Sequence, residues 1–131
     1  MKKGYKQLLA EADAVVTAID VTEAAGLHGR DDVVFVDLRD PREREREGAI
    51  PGAFSCPRGL LEFWIDPESP YAKDIFQQDK RFVFYCSLGW RSALATRTAQ
   101  EMGLEKLCHL TGGFTAWKAA GAPVETVAAK G

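Results

Sequence analysis

Arg81-Phe82-Val83-Phe84-Tyr85-Cys86-Ser87-Leu88-Gly89-Trp90-Arg91-Ser92-Ala93-Leu94-Ala95-Thr96-Arg97 is the stretch that decides the fold. Phe82 to Tyr85 is a short apolar run with the length and composition of a buried strand. After Arg91 the pattern turns helical, with Leu94, Ala95, Thr98, Ala99 and Met102 on one face. A tight loop between them opens with Cys86 and closes with Arg91. A strand–loop–helix unit aims backbone N–H groups and the positive end of the helix dipole at one point. Cys86 sits at that point, where the loop would favour thiolate over thiol. Gly89 allows a tight turn with bare backbone toward a ligand, and Arg91 offers planar, forked donors suited to an oxyanion.

A simpler reading makes Cys86 an inert strand-end cysteine, as most free cysteines are. Packing, however, has no need of a cysteine followed by Gly89 and then Arg91 at a helix start. The other two cysteines differ. Cys56 precedes Pro57 with no helix start nearby, and Cys108 lies in the apolar run Leu107-Cys108-His109-Leu110, so both read as packing residues. His109 reads as core or strand edge, with no partner identifiable from the pattern.

The rest of the chain alternates strands and helices. Residues 3–16 predict a helix with Leu8, Leu9, Ala12 and Val15 or Val16 as its stripe. Asp20-Val21-Thr22-Glu23 has the form of a capped second helix, ended by Gly26 and Gly29. Val33 to Asp37 is a β-branched run that predicts a central parallel strand. Asp40, Pro41 and Glu43 then form a strong helix start. The charge run from Arg42 to Glu47 reads as a short solvated helix paired at i, i+3 rather than a binding patch. Phe54 to Pro57 predicts a short strand, Gly59 to Ile65 an amphipathic helix, and Tyr71 to Gln78 another. Phe63, Trp64, Tyr71 and Phe76 are read as core, with Arg58, Phe63 or Trp64 as an alternative wall of the site. Gly103 should end the long helix, and residues from 125 onward read as a frayed tail. Alternation of this kind predicts an α/β domain with a mostly parallel sheet and helices on both faces. Cys86 should then lie just beyond the C-terminal end of a central strand.

Composition narrows the class. The 131 residues fit one domain, with 46% hydrophobic and 27% charged residues. No apolar run is long enough to span a membrane, and acidic residues at Glu11 and Asp13 interrupt any secretory core. A net charge of −2 gives no reason to expect nucleic acid. Three widely spaced cysteines make neither a disulfide framework nor a zinc pattern, and a working thiolate suits a reducing cytoplasm.

The loop Cys86-x-x-Gly89-x-Arg91-Ser92 resembles the active loop of the rhodanese family, the thiosulfate sulfurtransferases. Val36-Asp37-Leu38-Arg39 with Gly48-Ala49-Ile50-Pro51-Gly52-Ala53 resembles the family's N-terminal signature, although Ala49 stands where the family usually has histidine. Gly112-Gly113, Trp117 and Gly121-Ala122-Pro123-Val124 resemble its C-terminal one. The resemblance implies a rhodanese-like three-layer α/β/α domain over 18–126, preceded by a helical extension (1–17) and followed by a tail (127–131). It implies a sulfurtransferase in which Cys86 carries the sulfur as a persulfide. Ser87, Leu88, Gly89, Trp90 and Arg91 would bind the substrate, with Arg58 as a further rim charge. Asp37 and Arg39 would be structural, the glycine pair would let a turn approach the active loop, and Trp117 would pack the last helix. Thiosulfate or another sulfane-sulfur donor and cyanide or a thiol acceptor would be the partners, with no metal or organic cofactor. The sequence assigns no oligomeric state. Two other readings share the scaffold: a cysteine phosphatase or arsenate reductase, and a non-catalytic carrier or interaction module. Phosphatases resembling the cell-cycle dual-specificity enzymes place five residues between cysteine and arginine. Here there are four, Ser87 to Trp90, a loop sized for one sulfur atom rather than a phosphate.

Overall fold

The computed structural model describes residues 1–129 and contains five parallel strands with helices on both faces. In chain order the elements are α1 (Tyr5–Asp13), β1 (Ala18–Ile19), α2 (Val21–Leu27), β2 (Val33–Asp37), α3 (Pro41–Glu47) and β3 (Phe54–Ser55). They continue with α4 (Leu61–Ile65), β4 (Arg81–Tyr85), α5 (Trp90–Met102), β5 (Leu107–Leu110) and α6 (Gly113–Ala119). Strand order is β1-β5-β4-β2-β3, so β4 sits at the centre between β2 and β5.

Side chains alternate across the sheet and divide the core in two. Val83 and Tyr85 of β4 join Phe35, Cys108 and Leu110 beneath α2 and α6, where Ala24, Phe114 and Trp117 cover them. Phe82 and Phe84 face the other way, with Val36, against Leu61 and Ile65 of α4 and Ala95 and Ala99 of α5. Trp117 is fully buried and donates from Nε1 to the Pro123 carbonyl at 2.6 Å, which pins the last helix as expected. Both faces of the central strands are thus covered, which is why their sequences are continuous apolar runs.

Several expectations need correction. The first helix runs only from Tyr5 to Asp13, and Ala12 is its one fully buried residue, with Val15 exposed. Gly26 lies within α2 rather than ending it. The 58–65 segment is a 3₁₀ turn, Arg58–Leu60, followed by the short α4. Tyr71 onward is not a helix but a single 3₁₀ turn, Asp74–Gln77. Before it the Ser69 hydroxyl accepts from Tyr71 N–H in a local turn, and Lys73 N–H donates to the Trp64 carbonyl, which holds the segment against α4. On α5 the buried stripe is Ser92, Ala93, Ala95, Thr96 and Ala99, rotated from the expected one, while Met102 is exposed. Small side chains let the helix lie close to the sheet, and a count of large apolar residues misses them. The chain does not fray at 125, because Glu125 and Ala49 exchange backbone hydrogen bonds at 2.9 Å. The last two residues of the expected tail lie outside the described residues.

Candidate active site

β4 ends at Tyr85, α5 begins at Trp90, and Cys86 stands in the loop between them, 1% exposed. Gly89 has φ 103°, a conformation that side-chain-bearing residues rarely adopt. This turn points its N–H at the Cys86 Sγ, 3.1 Å away. From behind, α6 holds the loop: Phe114 N–H donates to the Cys86 carbonyl at 2.8 Å and Thr115 N–H to the Ser87 carbonyl at 3.1 Å. With its carbonyls bonded to α6, the loop is free to turn the Gly89 N–H toward the sulfur.

Gly113 makes that contact possible. A Cβ there would lie 2.5 Å from the Cys86 carbonyl oxygen and 2.6 Å from that of Ser87. Gly113→Ala should therefore push the loop back and slow the chemistry of the Cys86 sulfur about a hundredfold, the scale of an ångström-sized misplacement. The rate of Cys86 alkylation measures it, and an unchanged rate would show that the loop does not depend on this contact.

Beneath the loop lies a buried charge network. Asp37 Oδ1 accepts from the backbone N–H and Nε of Arg39, both at 3.0 Å. Its Oδ2 accepts from Arg39 Nη2 at 2.8 Å, the Tyr85 hydroxyl at 2.8 Å and Arg44 Nε at 3.1 Å. Arg39 Nη2 also donates to the Gly48 carbonyl, and its guanidinium lies 4.3 Å from the centre of the Phe114 ring. Burial, with the Asp37 charge alongside, drives the Tyr85 hydroxyl well above its ordinary range, so it stays a donor. Asp37 and Arg39 lie below the loop, tying β2, α3 and the residue preceding Cys86 together.

At the rim, Glu43 is the residue that sequence reasoning missed. It closes the capping box of α3 by accepting from Asp40 N–H at 2.9 Å. The same carboxylate accepts from Arg91 Nη1 at 2.8 Å, Arg91 Nη2 at 2.9 Å and the Ser87 hydroxyl at 3.0 Å. The Arg91 fork holds the Glu43 carboxyl down to about 2. The i, i+3 pairing expected along α3 gives way to longer reaches: Glu43 goes to Arg91 and Arg44 to Asp37. A signal was present, since a capping box directly after β2 must lie beside the loop of its parallel neighbour β4.

The expected loop residues come together, and Arg58 stands apart. Ser87, Leu88, Trp90 and Arg91 line, with Cys86, a hollow of about 140 Å³. Leu88 and Trp90 are 60% and 54% exposed, and the Trp90 ring packs on Tyr5 of α1 with centroids 5.3 Å apart. The N-terminal helix thereby reaches the mouth of the site. Arg58 does not line this hollow; it donates to Glu62 at 2.9 Å and reaches Thr98 at 3.5 Å. Burial pushes the Cys56 thiol up to about 12 and Cys108 up to about 11, which leaves neither a ready nucleophile near neutral pH. Among the described residues no group of three or more His, Cys, Asp or Glu is placed to hold a metal ion, and no helix is long and apolar enough to cross a membrane.

Residues 20–120 match the sequence profile described as Rhodanese-like domain. The chain is 30% identical over 103 residues to thiosulfate sulfurtransferase GlpE of Pseudoalteromonas translucida, covering 78% of this chain and 89% of that one. It is 36% identical over 97 residues to an uncharacterized protein of Synechocystis, covering 74% of this chain but only 49% of that protein's length. Among solved structures, a protein of unknown function from Rhodopseudomonas palustris, described as a possible tyrosine phosphatase, superimposes with a TM-score of 0.93. It shares 58% identity, with 95% of this chain and 96% of that one covered.

Proposed function

Because the chain belongs to the rhodanese-like family, we propose that it moves a sulfane sulfur from thiosulfate or a related donor to a thiophilic acceptor through a persulfide on Cys86. The observation that carries this reading is the Cys86 sulfur itself, at the floor of a hollow with a backbone N–H aimed at it from 3.1 Å. Such a donor is complementary to a thiolate and to the anionic persulfide that follows it. The thiolate attacks the outer sulfur of thiosulfate. A new S–S bond forms as the old one breaks, and sulfite leaves with the electron pair. Cyanide or a thiolate acceptor then attacks the outer persulfide sulfur, and Cys86 departs as thiolate. Neither half-reaction consumes a proton or an oxidant, and a two-step covalent route predicts ping-pong kinetics. A reducing compartment such as the cytoplasm suits a thiolate that must stay free.

Intact-mass measurement tests it: thiosulfate should add one sulfur atom to the protein, and cyanide should remove it. A protein that gains no sulfur from thiosulfate or an organic persulfide overturns the reading.

A second reading, phosphate-ester hydrolysis, has the description of the Rhodopseudomonas neighbour in its favour. Against it stands Arg91. A phosphatase loop needs its guanidinium fork for the phosphate oxygens, and both terminal nitrogens here are on Glu43. The same pairing tempers Arg91 as a rim charge for thiosulfate. Glu43→Gln should release that charge and lower the KM for thiosulfate about fivefold, the scale of one partly exposed ion pair. Arg91→Ala should raise it. Steady-state kinetics decides, and a KM unmoved in both variants removes the Glu43–Arg91 pair from substrate binding. The folded state holds the Glu43 proton less tightly than the unfolded chain does, so the pair contributes fully above the ordinary carboxylate range near 4.5. Its contribution is lost as pH falls toward about 2, and it should leave the neutral pH profile flat.

A further inference from the structure

Alternation along β5 sends Cys108 and Leu110 into the core under α2 and α6, and turns Leu107 and His109 toward α5. On the buried face of α5, Ala93, Ala95 and Ala99 are apolar, while Ser92 and Thr96 are polar and fully buried. Thr96 resolves its hydroxyl locally, donating to the Ser92 carbonyl at 2.7 Å. The Ser92 hydroxyl does something else. It lies 3.0 Å from His109 Nδ1 and 3.6 Å from Cys86 Sγ, and so joins a buried imidazole to the sulfur. His109 is 4% exposed, and its Nε2 has no hydrogen-bond partner among the described residues. A buried hydroxyl and imidazole cost stability unless paired, and alanine would fill the Ser92 position at less cost.

We propose that Ser92 and His109 are positioning residues: a neutral His109 protonated at Nδ1 donates to the Ser92 oxygen, so that the Ser92 hydroxyl proton is held for the Cys86 sulfur. Two features support that tautomer. An unpaired buried N–H is rarer than an unpaired acceptor, so the proton belongs on the nitrogen that has a partner. Burial also lowers the affinity of His109 for a second proton and keeps the ring neutral. With Nδ1–H on Ser92, a Cys86 thiol would offer the Ser92 proton only a weak acceptor. A thiolate supplies a strong one, as does the inner sulfur of a persulfide on its way to becoming a thiolate again. The bond is strongest when the sulfur carries negative charge, as the resting thiolate before the first half-reaction and as the leaving group of the second. Other charged groups facing the three are Arg91, backed by Glu43, on the sulfur side and Asp13 on the histidine side.

The inference rests on Cys86 being the working sulfur, but its test needs no sulfur donor. Alkylation of Cys86 by iodoacetamide, followed by mass at the Cys86 peptide, reads the thiolate directly across pH. Ser92→Ala should slow alkylation near pH 7 about tenfold, with the loss shrinking as pH rises. Ser92→Thr should keep the parent's profile. His109→Leu should reproduce the Ser92→Ala profile, His109→Asn should restore part of the rate, and the double variant should be no slower than Ser92→Ala alone. A Ser92→Ala profile that overlays the parent's overturns the proposal, as does a His109→Leu effect that persists on the Ser92→Ala background. If His109→Leu fails to fold, the Ser92 pair decides alone. Should the shifts appear while thiosulfate adds no sulfur to the parent, the relay stands and the sulfurtransferase reading fails.

Discussion

Cys86→Ser should take up no sulfur from thiosulfate, a loss of the whole first half-reaction. A serine hydroxyl is too weak a nucleophile at neutral pH, and neither the Ser92 hydroxyl nor the Gly89 N–H beside it is a base that could take its proton. The variant should fold as the parent does, because oxygen for sulfur changes little volume in a site that already opens on a hollow. Cys56→Ser and Cys108→Ser should load normally, since burial keeps both thiols protonated. Offering the parent an aryl phosphate alongside thiosulfate separates the readings. Sulfur uptake without hydrolysis supports the sulfurtransferase, and hydrolysis without uptake supports the phosphatase suggested for the Rhodopseudomonas protein. Both activities together would mean that four residues between Cys86 and Arg91 do not discriminate. Neither would leave a carrier or interaction module and withdraw the catalytic assignment of Cys86. Uptake of sulfur by Cys86→Ser itself would place the persulfide on another residue.

Removing one partner of the Asp37–Arg39 pair should be the most destabilising single change at this site. Both side chains are fully buried, and Asp37 gathers Arg39, Arg44 and the Tyr85 hydroxyl on its two oxygens. Arg39→Ala strands that carboxylate, and Asp37→Ala strands the guanidinium. Loss of one partner of such a pair costs about 3–5 kcal/mol, a large share of the ~5–15 kcal/mol that holds a domain of this size. Arg39→Lys should recover little, because an ammonium cannot span both oxygens and the Gly48 carbonyl while stacking on Phe114. Urea unfolding measures the change; a loss below about 1 kcal/mol in Arg39→Ala would mean that water and Arg44 repair the site. Any surviving folded fraction should also load sulfur slowly, since Tyr85 directly precedes Cys86 and is anchored through Asp37.

The N-terminal helix packs against a residue that lines the hollow even though it precedes the family match at residue 20. Tyr5 packs on Trp90, and Arg97 of α5 reaches Glu11 of α1 at 3.4 Å. A chain trimmed to the matched residues would lose the Tyr5 contact with Trp90 and the Glu11 partner of Arg97.

What the sequence determined by itself was local. Phe82 to Tyr85, the Cys86 loop and the helical run after it can form only a strand, a turn and a helix in that order, because each is set by neighbours within a few residues. The Asp40–Glu43 capping box and the Gly112-Gly113 turn were legible for the same reason. Which polar residues meet at the sulfur was decided by tertiary structure. Glu43 and Arg91 are 48 positions apart and Ser92 and His109 are 17 apart, and neither pair has a periodicity that announces it. Glu43 read as a cap, Ser92 as part of a motif and His109 as core, each correct locally. Parallel packing of β2, β4 and β5 brings their ends side by side, and only that juxtaposition turns a cap into a partner for Arg91 and a core histidine into a neighbour of Cys86.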